Sequence, residues 1–243
     1  NLNDTAINAV NRKLEDYFQT HYLARLNKNI LQKATFEKEA SPDKRTRLLQ
    51  DLYIASNPYP AGEKQMLDSA GDKSSYTDLH KTFHPRIRNY IKRFGFYDLF
   101  LVDSETGNIV YTVFKEVDFG TSLLTGPFKE TNLADAFRAA NSSDEKGYVK
   151  LVDYRNYRPS YNAPAAFIAC PVFDKEKKIG VLIFQMPIDR INNIMTNNQA
   201  WSKVGLGATG ETFIVGEDYT LRNQSRFLIE DSINYFNMIR GIG

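Results

Sequence analysis

The chain predicts an α+β fold: a long N-terminal helix, then a five-stranded antiparallel sheet, then a shorter second unit. Three observations carry this. Two apolar runs, residues 165–173 and 179–186, are separated only by the charged connector 174–178, a length that joins antiparallel strands. Near the N-terminus Ile7, Val10, Leu14 and Tyr17 recur at helical spacing. Between these regions the order reads helix, two strands, a loop with a helix, then three strands, which suits a sheet with helices on one side.

The first part, residues 1–74, is expected to be helical. Asn3 or Asp4 can cap the first helix, whose stripe resumes with Leu23, Leu26, Ile30 and Leu31. No breaker intervenes before residues 40–43, so the helix is expected to run for most of forty residues as a stalk or dimer face. A second helix follows Ser41 and Pro42 over 44–55, and residues 57–75 read as a loop. The second part, 75–196, opens with a helix over 75–93 carrying Leu79, Phe83, Ile87, Tyr90 and Ile91, and Gly95 stops it. Strands over 96–102 and 109–114 flank a turn whose Gly107 suits positive φ. A loop over 115–129, a helix over 132–140 and a half-buried strand over 148–153 come next. The two apolar runs are apolar on both faces, hence central strands covered on two sides. The third part, 197–243, follows an amphipathic connector with Ile188, Ile191, Ile194 and Met195. Residues 211–221 echo the strand and turn at 98–103, as though a second copy of the module opened there, and 230–240 reads as a helix.

Composition narrows the function. The 243 residues are 42% hydrophobic, enough for a real core. The formal charge is 31 − 29 = +2 and the basic residues are dispersed, which argues against nucleic acid as a partner. Cys170 has no second cysteine to pair with and reads as a small buried hydrophobe. No run of 18 apolar residues exists, so any membrane attachment is expected through flanking helices. A start at Asn1 rather than Met suggests an excised or processed piece. Gly205, Gly207 and Gly210 spell a dinucleotide fingerprint, but no strand precedes them and no helix follows, so a turn is the better reading. His80 and His84 have a metal-like spacing without a third ligand nearby; structural roles fit better, and no metal or cofactor is expected. Asp98, Asp103 and Asp118 fall at strand ends and turns, where solvated or capping roles are the default. No nucleophile–base pattern appears, so recognition rather than catalysis is expected.

The loop over 153–164 is the candidate site. Tyr154, Tyr157 and Tyr161 could merely cover the sheet edge, stiffened by Pro159 and Pro164. Tyrosine also joins apolar area to a hydroxyl, which suits enclosure of a small polar ligand. Asp153 could receive an ammonium, and Lys115 or Arg158 a carboxylate. An amino acid, a carboxylate and a small amine are all compatible ligands.

Several segments resemble a known family. Tyr76, His80, His84 and Pro85, then 95–103 and 109–116, then Tyr157-Arg-Pro-Ser160 and 164–167, resemble the distal module of double Cache sensor domains, which is PAS-like. Residues 205–212 and 222–227 resemble the opening of the membrane-proximal module. The resemblance implies the periplasmic or extracellular part of a bacterial transmembrane receptor, above all a methyl-accepting chemotaxis protein, with sensor kinases and nucleotide cyclases as alternatives. It implies a long helix leaving the membrane, a ligand pocket in the distal module and parallel homodimers. Such domains continue well past Arg240, so an incomplete second module is expected. Tyr111 lies in the family's pocket region, and Phe167 opens the strand after the loop. The expected ligand-binding set is therefore Tyr111, Lys115, Asp153, Tyr154, Tyr157, Ser160 and Phe167. The rival of another class is a dimerisation or partner-binding module with no small ligand.

Overall fold

The computed structural model describes residues 4–242. The chain divides between Met186 and Pro187 into two compact units.

In the first unit, helix α1 (Asp4–Tyr17) runs on through a π-wound stretch, Phe18–Leu23, and a last turn, Ala24–Leu26. Val10, Leu14, Phe18, Tyr22 and Leu26 recur every four residues and are buried. The helix ends well short of the forty residues expected. Asn27 folds the chain back, donating its amide to the Ala34 carbonyl (3.2 Å) and accepting from the Ala34 N–H (2.7 Å). Leu31 consequently lies fully exposed and Ile30 only half-buried. The apolar stripe packs on Val117 and Phe128 of its own unit, so it does not form a free dimer face. Asn3, the alternative cap, lies outside the described residues.

Helix α2 (Lys44–Gln50) continues through Asp51–Ala55, as expected, and Asp43 caps it by accepting from the Thr46 N–H at 2.7 Å. Helix α3 (Ser75–Phe94) is capped by Ser74 and stopped by Gly95 at φ 72°. Its orientation departs from the apolar spacing. Leu79, Phe83 and Tyr90 face outward, whereas Thr77, His80, His84 and Ile91 are buried. Both imidazoles find backbone carbonyls in the preceding loop, which holds the polar face inward.

The sheet contains β1 (Asp98–Asp103), β2 (Ile109–Thr112), β3 (Lys150–Tyr157), β4 (Ala163–Asp174) and β5 (Lys177–Met186). Its order is β2-β1-β5-β4-β3, and every pair is antiparallel. The two apolar runs are thus interior strands. Gly107 turns β1 into β2 at φ 67°, and a Cβ there would lie 2.7 Å from Leu124 Cγ. Helix α4 (Asn132–Asn141) packs on one sheet face with Phe100, Val102, Phe167, Val181 and Ile183. On the other face Ile87 and Ile91 of α3 meet Leu99, Tyr111 and Phe184. Helices therefore cover both faces, not one: α3 precedes the sheet in sequence but lies across it. Cys170 of β4 is only partly buried. The expected loop over 153–164 is mostly strand, since β3 reaches Tyr157 and β4 starts at Ala163.

The second unit has helices α5 (Ile188–Met195), α6 (Arg226–Glu230) and α7 (Ser232–Ile242). The strand expected within 211–221 reduces to one bridge, Val215 with Leu221. The glycine motif forms turns, with Gly205 and Gly207 at φ 83° and 61°. Arg226 holds them by donating to the Gly207 and Gly210 carbonyls (3.0 and 3.1 Å) from a position over the Trp201 ring. Among the described residues no helix is long and apolar enough to cross a membrane.

Candidate ligand-binding site

At one end of the sheet, beside the start of β1, a set of buried polar groups converges. Asp98 and Gln185 are register partners on β1 and β5, so their side chains share a face. The loop after β2 adds Lys115, Glu116 and Asp118, and the β3–β4 turn adds Tyr157 and Ser160. Lys115 adopts φ 58° and Tyr161 φ 56°, a region uncommon for residues with a Cβ. Local hydrogen bonds hold the turn in that conformation: Tyr161 N–H donates to the Arg158 carbonyl and Asn162 N–H to that of Tyr157, both at 2.9 Å.

The hydrogen bonds define what this enclosure offers. Asp98 Oδ1 accepts from the N–H groups of Leu99, Val113 and Phe114 at 2.7, 2.8 and 3.1 Å. Glu116 accepts from the Tyr97 hydroxyl at 2.9 Å and the Ser160 hydroxyl at 2.8 Å. Asp118 Oδ2 accepts from the Tyr157 hydroxyl. Gln185 donates to Ser160 Oγ at 3.2 Å. Three acceptors in this set, Asp98 Oδ2, Asp118 Oδ1 and Gln185 Oε1, find no donor in the protein. Their residues are 1%, 0% and 4% exposed, and a buried polar atom left unpaired costs about 1–3 kcal/mol.

Electrostatics reinforce the pattern. Burial raises the Asp118 carboxyl to about 6. Burial, and then the nearby charge of Asp118, raises Asp98 and Glu116 as well. Lys115 is pushed down by burial, against the attraction of Asp98. Its Nζ donates to the Thr112 carbonyl and lies 4.3, 4.8 and 5.6 Å from the ring centroids of Tyr111, Phe119 and Tyr53. Among the described residues no group of three His, Cys, Asp or Glu side chains could hold a metal ion.

The turn is also tied to α1. Arg158 pairs with Glu39, and Tyr22 of the same helical run donates to both Glu39 (3.0 Å) and the Arg158 carbonyl (3.3 Å). Asn29 donates to the Tyr161 carbonyl at 2.9 Å, Asn162 donates back to that of Asn29 at 3.0 Å, and Arg25 covers the Tyr161 ring.

Of the residues singled out in the sequence, the structure brings Lys115, Tyr157 and Ser160 to this enclosure. Phe167 lies behind Tyr157, with ring centroids 5.1 Å apart, in the core under α4. Tyr111 is on the opposite sheet face, where its hydroxyl meets His84 at 2.8 Å. Asp153 is exposed on edge strand β3 with Tyr154 beside it, so Asp153 does not face the acceptor set. Arg158 turns to Glu39 rather than inward. Asp98 and Asp118 were assigned to solvent or to caps by their places at strand ends, and both are buried. Only Asp103 caps as expected, accepting from the Thr106 N–H at 2.7 Å. A signal for the missed residues exists: Lys115, Glu116 and Asp118 alternate with Phe114, Val117 and Phe119, so charge is set in an apolar stretch. Gln185 likewise interrupts the apolar run of β5. A separate hollow of about 230 Å³ lies toward the other end of the sheet, lined by Leu101, Val110, Val172 and Ile179, and no predicted site residue reaches it.

No family model matches the chain. No curated protein matches it either. Solved structures do. The ligand-binding domain of the Campylobacter jejuni chemoreceptor Tlp3, in complex with 4-methylisoleucine, is 11% identical, with a TM-score of 0.41 over 93% of this chain and 69% of that one. The ligand-binding domain of the Pseudomonas fluorescens chemoreceptor CtaA, in complex with L-serine, is 16% identical, with a TM-score of 0.37 over 88% and 73%. The sensor domain of the V. cholerae histidine kinase DctB is 15% identical, with a TM-score of 0.37 over 78% and 58%.

Proposed function

We propose that the chain is the extracytoplasmic ligand-sensing part of a bacterial transmembrane receptor, of the chemotaxis type, and that residues 197–243 open a second module. A small polar molecule occupies the enclosure between β1, β5, the loop after β2 and the β3–β4 turn. The observation that carries this reading is the set of buried acceptors without donors, walled by a turn that is itself bonded to α1. A ligand that engages this wall shifts the turn, and the links through Arg158, Tyr161 and Asn162 pass the shift to the helix. Occupancy alters the balance between two packings only by its differential affinity for them. No bond in the ligand needs to change. A parallel dimer would use the polar outer face of α1, since the apolar stripe is buried within the unit.

The test is thermal unfolding against amino acids, carboxylates and amines at millimolar concentration. A ligand at ~100 times its Kd adds ~2.7 kcal/mol, a shift of several degrees. It should also change hydrogen exchange in residues 22–29. An unchanged midpoint across the whole panel would overturn the reading in favour of a module without a small ligand.

A further inference from the structure

We propose that the enclosure takes a small organic cation, a protonated amine that donates its N–H groups to Asp98, Asp118 and Gln185. The proposal rests on the sensing role above and specifies its ligand. The argument is one of hydrogen-bond inventory. Asp98 Oδ2, Asp118 Oδ1 and Gln185 Oε1 are acceptors, each in a residue more than nine-tenths buried, and none has a protein donor. An ammonium presents N–H donors and no acceptor, the complement of such a lining.

Most of the donors nearby are already directed elsewhere. The Tyr97 and Ser160 hydroxyls point to Glu116, the Tyr157 hydroxyl to Asp118, and the Gln185 amide to Ser160. Lys115 directs its ammonium to the Thr112 carbonyl and three aromatic rings. Arg158 pairs with Glu39 through Nη2, and its Nε is left without a partner. A carboxylate ligand would therefore meet three carboxyls, offset by little more than the spare N–H groups of Lys115 and Gln185. A cation meets three carboxyls opposed by one internal ammonium, and charge-assisted bonds to it are the strong kind.

Titration calorimetry on the whole chain separates the possibilities. Ethylammonium and ethanolammonium are the amine probes. Acetate and lactate are the carboxylates, glycine and alanine the zwitterions, and tetramethylammonium a cation without N–H. The amines should bind and tetramethylammonium should not. Asp118→Asn should weaken amine binding by ~10-fold or more, the loss expected for a charged hydrogen bond. Asn keeps an acceptor for the Tyr157 hydroxyl, and an unchanged circular dichroism spectrum would show that the fold survives. Gln185→Leu, which removes the neutral acceptor, should weaken the same probes. Binding of carboxylates or zwitterions without amines would overturn the cation assignment and leave the sensing role intact. Amine binding that survives both substitutions would overturn this location. Failure of every probe, together with silence across the broader panel, would overturn both readings.

Discussion

Two buried polar clusters meet at Lys115, and they are built differently. On the α3 side, an aromatic cage closes on itself. His84 Nε2 faces the Gln65 carbonyl at 2.7 Å and so carries the proton, which leaves Nδ1 to accept from the Tyr111 hydroxyl. His80 Nδ1 likewise faces the Asp68 carbonyl at 2.9 Å, and the two imidazoles stack with centroids 4.2 Å apart. Burial first, then the Lys115 charge, lowers both histidines to about 3. On the carboxyl side, three acceptors remain without protein donors. Among the described residues of the cage, His80 Nε2 and Gln65 Oε1 share that condition. The cage pairs most of its polar atoms internally, whereas the carboxyl set leaves oxygens of two acidic residues unpartnered.

The comparison can be broken at several points. The largest effect is expected for Asp98→Ala, which strands the N–H groups of Leu99 and Phe114 and leaves that of Val113 only its 3.2 Å bond to the Leu99 carbonyl; a loss of ~3 kcal/mol or more should appear in urea unfolding. Asp98→Asn, which retains an acceptor, should recover most of it. If Asp98→Ala unfolds like the parent, Asp98 is not the organising acceptor described. Next, the cage predicts coupling. Tyr111→Phe should cost ~1 kcal/mol alone but much less in a His84→Phe background, where its partner is already gone. Additive losses in that double-mutant cycle would show that the two residues act independently.

The third test uses pH, where the clusters oppose each other. The histidines titrate near 3 in the native state against 6.5 ordinarily. The unfolded chain then binds more protons, and this part of the stability is lost as pH falls below 6.5. Asp118 titrates near 6 against 3.8 ordinarily, so the native state binds more protons and stability is lost as pH rises through 6. Between pH 4 and 6 the two trends subtract. Asp98 and Glu116, raised likewise, add to the falling trend, so Asp118→Asn removes one share of it and should steepen the rise of urea midpoints with pH over that interval. An unaltered slope would mean that Asp118 titrates as an ordinary carboxyl. The smallest effect is expected for Lys177→Ala: its 3.6 Å ion pair with Glu105 joins two well-exposed side chains and should not register in either measurement.

Much of the fold was legible because the signals were local. The apolar runs of β4 and β5 and the stops at Gly95 and Gly107 depend on neighbours a few residues away. Helix α1 was read too long because nothing in its composition announces the turn at Asn27. That turn is made by a bond to Ala34, seven residues on. The site was legible in part. Lys115, Tyr157 and Ser160 stood out by residue type and position, but Asp153 was preferred to Asp98 and Asp118 because it sits in the tyrosine-rich stretch. Strand β3 is an edge strand, and Asp153 on it is exposed.

The sequence by itself determined the elements, their order and the antiparallel pairing, since periodicity, caps and turn residues act over one or two turns of chain. It also placed the hydroxyl-rich turn beside the sheet. Tertiary structure alone decided which carboxyls lose water, which face of α3 turns inward, and which acceptors end without donors. Burial is a property of surroundings drawn from distant segments: Asp98, Asp118, Tyr157 and Gln185 share one enclosure only after the sheet closes. A one-residue change in register would turn each strand residue among them to the opposite face.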